Sequence, residues 1–155
     1  MFHEVVEDGA AAGSTGADGT PDADEVTATA LLAAFESLVS EAVAEAGRGR
    51  VGDETDVDEA AIEAAADGDA AGLSVTDAAA IVAVTADRDA DAIVAELRDH
   101  LLMGMATAVL DVDTLAAGID ADLTGQEVQQ ALEGRAGMTL GQLAEVMAVI
   151  ERRKR

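Results

Sequence analysis

Three times in this chain a hydroxyl residue is followed, three positions later, by an acid or an amide and then by an apolar run: Ser74-x-x-Asp77, Thr124-x-x-Glu127 and Thr139-x-x-Gln142. At that spacing two side chains satisfy two otherwise orphaned backbone N–H groups, so each box marks the start of a helix. The runs behind them repeat apolar residues every three or four positions, which gathers those residues on one helical face. The same period appears at Leu31, Phe35, Leu38, Val39, Ala42 and Val43, closed by Gly47, and at Ile93, Val94, Leu97, Leu101 and Met105, where Asp89 is the expected cap. A further helix is predicted from Asp58 to Asp67, stopped by Gly68, with a short segment Val51 to Thr55 ahead of it. No run alternates with a period of two, as a half-buried strand requires. The expected fold is all-α, with helices near 26–46, 58–67, 74–85, 89–110, 124–133 and 139–152.

A chain of 155 residues fits one domain and can bury roughly two-thirds of its unfolded surface, so a core is affordable with only two aromatic residues. The absence of Cys excludes disulfides, thiolate zinc sites and a cysteine nucleophile. No stretch approaches the ~20 apolar residues that cross a bilayer, and the opening MFHEVVED lacks the basic n-region and long apolar run of a secretory signal. A cytoplasmic protein without a membrane partner is expected. Residues 8–24 carry Gly9, Gly13, Gly16, Gly19 and Pro21 with no branched apolar side chain, and cannot offset ordering entropy by burial. Residues 1–24 are therefore predicted to be a disordered acidic, Gly-rich segment, and 25–155 the helical domain. Phe2, Val5 and Val6 form a short apolar patch that either docks on that domain or frays, with His3 solvated.

The 18 Asp and 14 Glu are spread along most of the chain and face eight Arg and one Lys, for a net charge of −23. Such a surface repels itself over about 30 Å at 0.01 M salt but only about 3 Å at 1 M. With Lys so depleted and small residues so abundant, the composition points to molar salt and a haloarchaeal cytosol.

Two parts of the chain read as copies. Ile62, Asp67 and Gly68 map onto Val128, Glu133 and Gly134 at an offset of 66 (128 − 62), and Gly72, Ser74, Val75, Ala79, Ile81, Ala83 and Val84 map onto Gly137, Thr139, Leu140, Ala144, Val146, Ala148 and Val149 at 65 (137 − 72). The matched glycines, caps and branched residues predict two divergent helix-turn-helix-like units, about 27–85 and 89–152, around a buried central helix at 89–110. In the first unit, Val51, Thr55-Asp56-Val57-Asp58, Ile62, Asp67-Gly68 and Leu73-Ser74-Val75 resemble the Cro-like repressor helix-turn-helix. That resemblance implies that the helix from Asp58 enters the major groove after a tight turn at Asp56-Val57, with Asp56 where the family has a turn glycine. More narrowly, LLMGMATAVLDVDTLAAGID (101–120) and QQALEGRAGMTL (129–140) resemble an uncharacterised haloarchaeal family, which implies no assigned activity.

Phosphate contacts need surface cations, yet the first unit's candidate recognition helix carries Asp58, Glu59, Glu63 and Asp67. The second unit is better equipped. Gln126, Gln129, Gln130 and Arg135 lie on or just after the helix from Thr124, and glutamine pairs with adenine edges, while Arg152 and Arg153, followed by Lys154 and Arg155, could hold phosphates. The plainer reading of that tail is a cation cluster on a helix C-terminus, and of the glutamines a solvated face. His100 has no Cys to pair with and reads as a buried or capping histidine. The pairs Asp111 with Asp113 and Asp120 with Asp122 read as helix caps, and Asp87-x-Asp89-x-Asp91 lacks the glycine of a calcium loop. The run LLMGMATAVL at 101–110 is apolar nearly all round. Leu101, Leu102, Gly104, Met105 and Ala108 are therefore candidates for helix packing or a subunit interface. The sequence thus points to a non-enzymatic helical binding protein with no metal, cofactor or small-molecule ligand identified, whose partner is a protein or a second copy; a small-molecule or metal enzyme is the least favoured class, kept because apolar helical pockets can bind ligands without a motif. The alternative is a DNA-binding regulator using the second unit.

Overall fold

Five of the described helix starts carry a side-chain cap, at Thr27, Ser74, Asp111, Thr124 and Thr139. The computed structural model describes residues 27–86, 88–119, 123–133 and 137–153, and among these are eight helices: α1 (Ala28–Ala46), α2 (Arg48–Glu54), α3 (Glu59–Ala66), α4 (Val75–Ala86), α5 (Ala90–Ala108), α6 (Val112–Gly118), α7 (Gly125–Leu132) and α8 (Leu140–Arg153). The expectations for residues 1–26, including Phe2, Val5 and Val6, and for Asp87, Asp120 and Asp122 lie outside the described residues.

Both boxes of the second half close reciprocally. Glu127 donates its N–H to the Thr124 hydroxyl and Thr124 its N–H to Glu127 Oε1, both at 3.2 Å; Gln142 and Thr139 repeat the exchange at 3.1 and 3.0 Å. At Ser74 only the forward bond is present, from the Asp77 N–H at 3.0 Å. Asp89 occupies the cap position of α5 with extended backbone but makes no capping hydrogen bond. Its expected role is corrected: the backbone stops there without the side chain. The segment at 51–55 is part of a helix, α2, whose end is held by the Thr55 hydroxyl donating to the Val51 carbonyl at 2.7 Å. Asp56 does not take a left-handed backbone, so the turn between α2 and α3 is not the one implied by replacing a turn glycine.

The core gathers Leu31, Phe35, Val39 and Val43 of α1 with Ile81 of α4 and a long buried stretch of α8. Val146, Met147, Ala148, Val149 and Ile150 are consecutive and all buried, because α8 packs against α1, α4, α5 and α6. The centre of the domain is therefore α8, not the helix at 89–110. In α5 only Ile93, Leu97, Leu101, Gly104 and Met105 are buried; the expected central position is corrected because its opposite face, bearing Asp91, Glu96 and Asp99, meets solvent. A helix with charges along one side cannot be enclosed.

The two segments that match in sequence also meet in space. Ser74 lies opposite Thr139 in an isolated antiparallel bridge, with Val75 N–H donating to the Met138 carbonyl at 2.7 Å and Leu140 N–H to the Leu73 carbonyl at 2.9 Å. The offset of 65 that carries Val75 onto Leu140 also carries Leu73 onto Met138, so the two bonds exchange equivalent partners. The α3–α4 and α7–α8 connections are thus joined about a local two-fold relation, and the amides and carbonyls that short loops would leave orphaned pair with one another. Glu36 Oε2 adds a contact from α1, accepting the Ala70 N–H at 2.9 Å.

Two helices end alike with different residues. In α3, Asp69 N–H donates to Ala64 O and Gly68 N–H to Ala65 O, with Gly68 at φ +77; in α5, Leu110 N–H donates to Met105 O and Val109 N–H to Ala106 O, with Val109 at φ 56, ψ 52. Both are Schellman caps, whose left-handed position ordinarily takes glycine. Val109 is the single non-glycine residue with positive φ among the described residues, and it is 90% exposed.

Candidate functional site

No charged or polar side chain is buried in the described core, so the chemistry lies on the surface. That surface is acidic, and three of its six described arginines are held in ion pairs. Arg48 reaches Glu63 and Asp67, both at 3.8 Å, Arg50 holds Glu54 and donates to the Val84 carbonyl, and Arg88 holds Glu96. Arg48 thus lies within reach of two of the acids on the helix that the repressor resemblance places in a groove, and offsets at most one of the two charges. At the start of α6, Asp111 Oδ1 accepts the Thr114 N–H at 2.7 Å. That bond, with a second from the Thr114 hydroxyl, holds the Asp111 carboxyl below the usual carboxylate range. His100 is half-buried and has an interaction partner.

The candidate nucleic-acid residues are divided between two elements. Gln126 and Gln129 are exposed on α7, where Gln129 donates to Glu133 Oε1 at 3.1 Å; Gln130 is half-buried. Arg152 and Arg153 are exposed in the last turn of α8, Arg152 beside Ala28 and Gly118. The helices α7 and α8 do not pack on each other, and Arg135, Lys154 and Arg155 lie outside the described residues. The structure therefore does not gather these glutamines and arginines into one described patch.

The interface candidates separate by face. Leu101, Gly104 and Met105 point inward, and a Cβ on Gly104 would stand 2.7 Å from Ile150 Cγ2, so the small residue serves the α5–α8 crossing within the chain. Ala108 is half-buried, whereas Leu102 is 47% exposed. Met103, missed in the sequence reading, is 70% exposed, and with Val109 these are the exposed large hydrophobic side chains of the described residues. Ala92, Ala95 and Ala106 are exposed too and continue the row, interrupted by Asp99. The positions 92, 95, 99, 102, 106 and 109 follow a three-four spacing, a stripe of the kind that seats against another helix. That signal was present in the sequence but overlaid by the inward stripe of the same helix.

No single helix among the described residues is long and apolar enough to cross a membrane. No curated protein and no solved structure matches the chain. Residues 31–153, nearly the whole of the helical part, match the family of unknown function DUF5791, and the chain belongs to that family.

Proposed function

We propose that this domain is a non-enzymatic binding protein that engages a protein partner through the outer face of α5. The observation that carries this reading is the clustering of the exposed large apolar side chains, Leu102, Met103 and Val109, on one helix and its cap, with no other large hydrophobic side chain exposed among the described residues. Contiguous exposed apolar residues rimmed by charge mark interaction sites. The left-handed Val109 supports the assignment, because a branched side chain held in an unfavourable backbone region and left in water contributes nothing to the isolated fold. The net charge of −23 supports a halophilic, haloarchaeal setting, in which screening lets an acidic surface approach a partner. The acids and the Gln129–Glu133 bond on α7 weigh against the DNA-regulator alternative, whose described cations, Arg152 and Arg153, stand on α8, which does not pack on α7.

The test is affinity capture in molar KCl with the full chain and with Leu102→Glu/Met103→Glu. A discrete protein retained by the wild type and lost from the variant, with helicity and melting unchanged, supports the reading. Equal capture by both, or retention of duplex DNA that Gln130→Ala abolishes, overturns it.

A further inference from the structure

A second feature is independent of the α5 outer face. Between α4, α5 and α7 lies a cleft of about 200 Å³, walled by Val94, Leu97 and Leu101 of α5, Leu132 of α7, Met138 and Leu143. A cavity of roughly 150 Å³ accommodates one benzene ring, so the space is that of a short or branched hydrocarbon group. One charged side chain lines it: Arg98, half-buried, one position along α5 from Leu97.

Arg98 stands apart from the other arginines. Arg48, Arg50 and Arg88 each hold at least one carboxylate, and Arg152 and Arg153, which hold none, are exposed, whereas Arg98 is half-buried and its side chain makes no hydrogen bond or ion pair with any described residue, in a chain with 32 acids to 9 bases. Its planar guanidinium donors are not taken up by a described carboxylate, and they match one in a ligand. The surface around it is acidic and repels anions in general, so an anion is drawn here only if it can also bury something in the cleft.

We propose that this cleft binds a small monocarboxylate with a single short hydrocarbon tail, the tail among Leu97, Leu101, Leu132 and Met138 and the carboxylate on Arg98. Molar salt weakens the charge term by screening and leaves the apolar term in place, so the site works at high ionic strength as a hydrophobic pocket with a cationic selector.

The test titrates the full chain in molar KCl with hexanoate and with its neutral counterpart hexanol, following the methionine methyl signals by NMR. Hexanoate is expected to bind saturably and to shift Met138 but not the exposed Met103. Arg98→Gln is expected to weaken hexanoate roughly tenfold or more, as loss of a charge-assisted hydrogen bond does, and to leave hexanol unchanged. Ala131→Leu, which fills the cleft from α7, is expected to abolish both while the melting transition persists. Three results would overturn the proposal: no saturable shift at Met138, equal weakening of both probes by Arg98→Gln, or a dimer in sedimentation that Ala131→Leu dissociates, which would give the cleft to a second copy.

Discussion

Replacing Val109 with glycine should stabilise this protein. Val109 holds the left-handed position of the α5 cap, φ 56 and ψ 52, and its side chain is 90% exposed. The left-handed region costs an L-residue roughly 1–2 kcal/mol. Glycine relieves that cost but gains freedom in the unfolded chain, which offsets about 0.4–1 kcal/mol. With the side chain already in water, the burial lost is negligible, and the net gain is about 1 kcal/mol, a rise in Tm of about 2–4 °C for a domain of this size. Urea denaturation and calorimetry at one fixed molar KCl concentration measure it. Two controls isolate the cause. Val109→Ala keeps a Cβ and should gain little, while Gly68→Ala places a Cβ at the equivalent cap of α3, φ +77, and should lose about 1 kcal/mol. A neutral or destabilising Val109→Gly, or an equal gain from alanine, would refute the reasoning and mean that the cap is not strained. If α5 is the partner-binding face, Val109→Gly should also weaken partner capture, a gain in stability set against function.

Gly104→Leu forces a side chain into the α5–α8 crossing, where a Cβ alone would come within 2.7 Å of Ile150; the expected loss is roughly 1–3 kcal/mol by denaturant titration, without change of oligomeric state. Lowering KCl from molar to millimolar should melt the helices, since a net charge of −23 is then unscreened, and circular dichroism against salt follows it. The Asp111 carboxyl is held lower in the folded state than in the unfolded chain by the Thr114 bonds, so its stabilising contribution is present above the unfolded pKa and is lost as pH falls through the folded pKa; Asp111→Asn should flatten that part of the acid unfolding curve. Thr124→Ala removes one side of the α7 capping box and should cost about 1 kcal/mol, read as earlier amide exchange in 125–128.

Much of the local structure was legible from residue order because the forces that set it act over three or four residues. The reciprocal bonds of Thr124 with Glu127 and of Thr139 with Gln142 need no tertiary partner, and the Gly68 stop needs only a residue that tolerates positive φ. The matching of 62–84 with 128–149 was legible for the same reason, as a repeated pattern of caps and branched residues. Which helix becomes the centre is a different kind of question. The run at 101–110 is more continuously apolar than its neighbours, yet α5 carries Asp91, Glu96 and Asp99 on one side and settles at the edge, while α8, flanked by four helices, is enclosed over Val146 to Ile150. Hydropathy along a chain records what burial is worth; only packing decides how many sides of a helix have something to be buried against. The Ser74–Thr139 bridge and the meeting of Arg98 with Met138 at one cleft depend in the same way on tertiary packing, each being fixed by where another segment of the chain passes.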